Sequence, residues 1–540
     1  MKKLDGCFLF VLITVFMTAC DPVLDSNIPP AKTPELSLTP EPMPAPSALP
    51  ASAAKRDIEG TARVWMSLNS PGELLDISKW QYVYENVDAL QIRIHDLNET
   101  DSDDLSDFAA LLNSSGIRLT IECDGLDYTI CEKFKGKPAS VGRISAMKEV
   151  AQLERLRKAG YEADYVMFDH PTIKAVFPYE NYEQPPQVTY AEAAEALEFC
   201  MKYWRESYPD IKFYFCPNFP NNGWKGGLAY WYLHDEFGRG DFYEEFQAVL
   251  QATRKGGVEF EGLICDNPYD YITGEIDSNQ KNKIKDIDWF ERVMDLEREV
   301  RSAGLEFALF YNSDQPGMNG PAGLYYRDTL KFINEYAAKG GRTDIAVIES
   351  WYPYPAAWVP EDELYTMTNL TRDVIRQLKY GQVADLENID MSAGAIPAAA
   401  SAADKWQFDS RVEGWIERND IAEMRCEEGA LYINCTGGDP YIYSAPDLHI
   451  PADQYGKLRI RIMYSDSLTG LQVFFVPNGP PDFSPKRCYT VTEFFTAGEY
   501  TEVIIDLASH PLWKGDIGRL RIDPASQPCE VWIDSIVLEH

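Results

Sequence analysis

Residues 165–171 read YVMFDHP, and residues 262–268 read GLICDNP. Each is a short apolar run that ends in an aspartate, Asp169 or Asp266, and is closed by a proline two residues later. Apolar runs without polar alternation are how strands buried on both faces look. The proline ends the strand by withdrawing a ladder donor. FCPNFP (215–220), FYNSDQP (310–316) and ESWYP (349–353) repeat the ending.

Working outward, the chain alternates such runs with helical patterns. The strand candidates are ARVWMSL (62–68), DALQIRI (88–94), IRLTIEC (117–123), DYVMFD (164–169), IKFYFC (211–216), EGLICD (261–266), EFALFYN (306–312) and DIAVIES (344–350). Between them, Met147, Val150, Leu153 and Leu156 recur every third residue, as on one face of a helix. Thr189 and Glu192 have capping-box spacing, and Gly116, Gly160, Gly304 and Gly341 stand where C-caps belong. Eight strands in this alternation predict a (β/α)8 TIM barrel over residues 59–388. An open doubly wound sheet, the alternative, would be expected to carry a Gly-rich phosphate loop after its first strand. SLNSPGELL (67–75) is not one.

In a parallel barrel all strand ends face one mouth, where the loops carry the chemistry. The inventory there is carboxylate-rich. It holds His95 and Asp96, then Glu122 and Asp124, Asp169 and His170, Asn218, Asp266 and Asn267, Asn312 and Asp314, and Glu349. No serine sits in a nucleophile elbow, and HExxH and Walker-type loops are absent. Acids held close together, some desolvated, are what glycosidic hydrolysis requires: one protonated to serve the leaving oxygen, one ionised to attack or to activate water. Aromatic residues crowd the same loops. Trp224, Tyr230, Trp231 and Tyr232 follow the fifth strand, and Trp351, Tyr352, Tyr354 and Trp358 follow the eighth. Flat rings suit the apolar faces of sugars, while neighbouring amides and carboxylates take the hydroxyls. The expected catalytic residues are Asp169, Asp266, Glu349 and Glu122. Those expected to contact substrate are Asp124, His95, His170, Asn218, Trp224, Trp231, Asn267, Asn312, Asp314, Trp351 and Tyr352. Glycan binding without turnover is the second reading. A metal-assisted reaction using His95, His170 or His234 is a third, without i,i+2 or i,i+4 pairing to support it.

The chain has 540 residues with 50 basic against 85 acidic side chains, a formal charge of −35. So negative a chain repels phosphate backbones, which argues against a nucleic-acid partner. Residues 1–20 read as an export signal, with Lys2 and Lys3 ahead of an apolar core at Phe8–Phe16. Its end, Met17-Thr18-Ala19-Cys20, resembles a bacterial lipobox, which implies lipidation of Cys20 and a membrane anchor there only. Residues 21–58 are Pro/Ala/Ser-rich and read as a tether. The expectation is an exported, membrane-anchored monomer. Among the cysteines, Cys123 with Cys131 and Cys426 with Cys435 are close enough in sequence for local disulfides, and the spacing leaves the pairing open.

An Ala-rich linker at 389–404 precedes a change of character. GALYINC, KLRIRIMY, LQVFFVP, YTEVIIDL and CEVWIDSIVLE alternate apolar and polar residues with no helical pattern between them, predicting an all-β jelly-roll sandwich over 405–540. WQFDSRVEGW (406–415), GGDPYIYS (437–444), LWKGDIGRLRIDP (512–524) and VWIDSIVLE (531–539) resemble the galactose-binding-like jelly rolls appended to bacterial glycoside hydrolases. The resemblance implies a carbohydrate-binding module with a structural calcium near the paired termini, for which Asp409 and Asp534 are the candidates. Tyr441, Phe483 and Trp513 fall where they could meet sugar. The barrel resembles glycoside hydrolase barrels in a general way. That likeness implies the fourth-strand Asp169 as nucleophile and the sixth-strand Asp266 as acid/base, a poly- or oligosaccharide substrate, and no catalytic cofactor.

Overall fold

The computed structural model describes residues 58–177, 185–226, 237–274, 287–393, 404–478 and 483–540. Its first part is a closed barrel of eight parallel strands in sequence order. These are β1 (Arg63–Leu68), β2 (Ala89–Arg93), β3 (Arg118–Cys123), β4 (Tyr165–Asp169), β5 (Lys212–Cys216), β6 (Gly262–Cys265), β7 (Glu306–Tyr311) and β8 (Ile345–Ile348). Strand β8 pairs back onto β1, Arg63 opposite Ile345, which leaves the sheet no edge. Each strand lies within a residue or two of the apolar run that predicted it. Between β3 and β4 runs the helix Pro138–Lys158, and the helix Tyr190–Ser207 starts on the expected Thr189–Glu192 capping box. Gly116, Gly160 and Gly304 adopt positive φ after their helices, but at the fourth site Gly340 does so instead of Gly341.

Side chains alternate across the barrel wall, so every second residue of each strand faces the axis. At the N-terminal end the axis is plugged by Trp65, Tyr165 and Tyr214, with Trp65 stacked on Tyr165 at 5.2 Å and edge-on to Tyr214 at 5.1 Å. Gly262 makes this plug possible, since a Cβ there would stand 2.6 Å from the Glu306 carbonyl and 2.9 Å from the Tyr214 ring. Met167, Ile264, Ala308, Phe310 and Val347 fill the next level. At the N-terminal end Glu306 accepts from the Tyr214 hydroxyl at 2.7 Å and pairs with Arg63 at 2.6 Å, and the carboxylates of the candidate site lie at the C-terminal end.

The second part is a sandwich of two antiparallel sheets. One contains β10 (Ile416–Glu417), β13 (Ile442–Tyr443), β14 (Ile450–Pro451), β16 (Leu468–Pro477), β17 (Cys488–Phe495) and β19 (Asp516–Asp523). The other contains β9 (Lys405–Trp406), β11 (Ile421–Glu427), β12 (Ala430–Cys435), β15 (Lys457–Tyr464), β18 (Thr501–Asp506) and β20 (Cys529–Glu539). Leu458, Ile460 and Ile462 of β15 are fully buried between the sheets while Lys457, Arg459 and Arg461 point away, the alternation that identified the domain.

Ion pairs join the sandwich to the barrel. Arg418 and Arg519 both bond Glu99, which follows β2, and Arg418 also donates to the Asn98 carbonyl at 3.0 Å. Arg155 grips Glu417 with two bonds of 3.0 and 3.2 Å, and Arg411 reaches Asp104 and Asp107, each at 2.9 Å. Neither of the two local pairings that the spacing left open is present: Cys123, Cys131, Cys426 and Cys435 are free thiols in this structure. Cys426 donates instead to the Phe408 carbonyl, because β11 and β12 place it opposite Leu431. Among the described residues no helix is long and apolar enough to cross a membrane.

Candidate active site

The prolines shape the mouth as well as ending the strands. After β5 the chain turns at Pro217 and then resumes pairing, with Asn218 bridging Asp266. Asp266 donates its N–H to the Pro217 carbonyl at 3.2 Å and accepts from the Phe219 N–H at 2.9 Å. Its backbone is thus held on both sides. Just past β4, His170 sits in the left-handed region at φ 48 and donates its N–H to the Cys216 carbonyl. That turn starts the helix Pro171–Val176 directly behind Asp169. Gly125 provides the matching turn after β3, because a Cβ at its positive φ would stand 2.8 Å from the Phe168 ring.

Four carboxylates converge on the axis: Glu122 from β3, Asp169 from β4, Asp266 beyond β6 and Glu349 beyond β8. Cys216, at the centre of the mouth, reports all four. Burial pushes its thiol pKa up, and the charges of Asp169, Asp266, Glu122 and Glu349 push it further. Gln91 of β2 links two of them, its Nε2 donating to Glu349 Oε1 at 2.7 Å and to Glu122 Oε2 at 3.3 Å. Lys174, five residues after Asp169, places its ammonium 2.9 Å from Asp169 Oδ2 and 2.7 Å from Asp124 Oδ1. His170 Nδ1 lies 3.3 Å from Asp169 Oδ1. Arg93 is held by Asp96 at 2.5 Å.

The environments drive these acids apart. Burial would raise the pKa of Asp169, but the charges of His170 and Lys174 outweigh it and hold the carboxyl below its ordinary value. Asp266 goes the other way: burial, then the negative charges of Asp169, Asp314 and Glu122, lift it well above the carboxylate range. Burial and then the charges of Glu122, Asp266 and Asp169 do the same to Glu349. Glu122 is raised to about 7 by burial and Asp169, with Arg93 and Lys174 opposing. The mouth therefore biases Asp169 toward its ionised form and Asp266 toward its protonated form.

Several polar atoms here have no protein partner although buried: Asp266 Oδ1, Glu349 Oε2, Gln91 Oε1, and both amide atoms of Asn312 and Asn267. Asn312 continues the inward alternation of β7 after Phe310. Buried amides without partners are costly, so these atoms are where a polar ligand would find hydrogen-bond partners. Trp351 stands at the entrance, edge-on to Phe310 at 5.8 Å, and lines a small cleft with Gln91, Arg93, Glu122 and Glu349. Burial and then the charge of Asp314 raise the Tyr352 phenol pKa, and the Asp314 backbone N–H is held by Asp270. His95 is exposed at the rim and Asn218 is half-buried.

Other expected contacts are placed elsewhere. Trp224 is buried, donates its indole N–H to Asp295 at 2.8 Å, and packs on Phe219 and Phe242. Trp358 is likewise buried, bonded to the Ser67 carbonyl. Trp231, Tyr230, Tyr232, His234 and Cys20 lie outside the described residues. In the sandwich, Trp513 is core, its N–H shared by the Ala452 and Tyr455 carbonyls. Tyr441 stacks on Tyr443, whose other neighbour is Phe483 at 4.7 Å. Arg521 lies 3.8 Å over the Tyr441 ring. Asp409 is exposed and Asp534 is bonded to Arg461. Among the described residues, no group of three or more His, Cys, Asp or Glu side chains is disposed to hold a metal ion. Lys174, Gln91 and Arg93 were missed from sequence. Lys174 lies on a helix and the other two within a strand, where nothing in the local pattern marks them.

No family model and no curated protein matches the chain. Among solved structures it is similar to the glycoside hydrolase domain of Endo-D from Streptococcus pneumoniae R6, at 12% identity over 88% of this chain and 75% of that one, TM-score 0.29. It is also similar to a D-psicose 3-epimerase, at 11% identity over 59% of this chain and 100% of that one, TM-score 0.32. A family 29 carbohydrate-binding module from Piromyces equi matches 25% of this chain and 90% of its own at 9% identity, TM-score 0.19. Likenesses this distant carry no argument about chemistry.

Proposed function

We propose that the barrel is a glycoside hydrolase and that Asp169 and Asp266 are its working pair. The observation that supports this reading is their opposite electrostatic tuning at one mouth: the Asp169 pKa is lowered by His170 and Lys174, while that of Asp266 is raised by burial and neighbouring acids. Asp266 gives its proton to the glycosidic oxygen as the C–O bond breaks. Asp169 attacks the anomeric carbon, or takes the proton of the water that does. Gln91 holds Glu349 and Glu122 beside them, and Asn312 and Trp351 receive the sugar's hydroxyls and its apolar face. The cations nearest the pair, Lys174 and Arg93, are already engaged by acids, so the mouth favours neutral sugars over uronates.

The Tyr441–Tyr443–Phe483 face of the sandwich is proposed to hold glycan, with the whole chain exported and anchored through Cys20. Incubating purified protein with a panel of poly- and oligosaccharides and assaying released reducing ends tests the reading. Release from at least one neutral glycan is expected. Saturable binding without release from any would mark a glycan-binding protein instead and overturn the hydrolase proposal.

A further inference from the structure

Within the sandwich, Cys435 ends β12 and Cys529 begins β20, and the two are direct partners in the antiparallel register. Both side chains are buried, and the two thiols are close enough to shift each other's pKa, Cys435 upward and Cys529 downward. Opposed residues of an antiparallel pair have Cα atoms about 4.5 or 5.5 Å apart, and both values lie within the roughly 4.4–6.8 Å span of a disulfide. The other cysteines of the domain are placed differently: Cys426 donates to the Phe408 carbonyl, and Cys488 lies beside Thr490. Spacing along the chain pointed to Cys426 for Cys435, whereas the strand order gives Cys435 a partner from the far end of the domain.

We infer that Cys435 and Cys529 form a cross-strand disulfide when the chain folds in an oxidising compartment. The two thiols lose two protons and two electrons to a disulfide oxidant, a dithiol oxidase in the cell or oxidised glutathione in vitro. The oxidant's own disulfide leaves as two thiols. The bond would fasten the last strand to β12 and close the long loop that contains β13 to β19, lowering the entropy of the unfolded chain. Such bonds belong to exported proteins, as the N-terminal segment leads one to expect.

The test is peptide mapping of the full chain after refolding with oxidised glutathione, followed by alkylation under denaturing conditions without reductant. The expected result is a peptide pair joined through Cys435 and Cys529 that separates on reduction. A melting temperature that falls by several degrees with dithiothreitol is expected for the wild type, but not for the double variant Cys435→Ser/Cys529→Ser. Alkylation of both residues in the oxidised protein, or joining of either to another cysteine or to glutathione, would overturn the inference. Neither readout depends on glycan turnover, so failure here leaves the hydrolase reading untouched.

Discussion

Lys174 bonds Asp169 at 2.9 Å from the first turn and a half of the helix that Asp169 itself leads into. One short segment thus supplies the acid together with the two groups, His170 and Lys174, that lower its pKa. The same ammonium reaches Asp124 at 2.7 Å, fastening the loop after β3 to the β4 end.

Replacing Lys174 by Met leaves His170 as the remaining charge that opposes burial and removes the other, so the Asp169 pKa rises. A depressed carboxyl pKa keeps the ionised form available above it and loses it as pH falls. The acid limb of kcat/KM should therefore move upward by about one pH unit, roughly tenfold in rate on that limb. Lys174→Arg should retain most of the wild-type profile. An unmoved acid limb in Lys174→Met would remove Lys174 from this role.

Trp351 and Trp224 separate ligand contact from packing. Trp351→Ala should raise KM about tenfold, the scale of a lost aromatic contact, with the melting temperature nearly unchanged. Trp224→Ala should instead destabilise the barrel by about 3–5 kcal/mol and leave KM alone. Steady-state kinetics and calorimetry on both variants check the contrast.

Glu99 couples the domains. Burial alone would raise its pKa, but Arg418 and Arg519 outweigh that and depress it. The contribution is present above the ordinary glutamate pKa and lost as pH falls through the depressed value. Glu99→Gln leaves Arg519, only 5% exposed, without its counter-charge, at a cost of about 3–5 kcal/mol. Calorimetry at neutral pH should show the sandwich melting apart from the barrel in the variant and nearer to it in the wild type.

The barrel was legible because its cues are local: strands buried on both faces show as uninterrupted apolar runs, and helices stop at glycines. Asp169 and Asp266 were legible because each ends such a run. Gln91 reads as an ordinary mid-strand residue, and only the register of β2 against β3 and β1 sets it between Glu122 and Glu349. Trp224 shows the converse. Its loop position suggested a sugar platform, but whether a loop aromatic turns outward or into the core depends on Phe219 and Phe242, which local pattern does not reveal. Glu99 with Arg519, and Cys435 with Cys529, are non-local pairs that no spacing rule connects.

The most direct test compares Asp169→Asn with Asp266→Asn on a glycan that the wild type hydrolyses and on the matching aryl glycoside with a good leaving group. The account predicts that Asp266→Asn loses about 10²–10⁴-fold on the natural linkage but far less on the aryl substrate, which needs no proton, whereas Asp169→Asn fails on both. Wild-type rates in either variant on the natural glycan, with the fold intact, would contradict it.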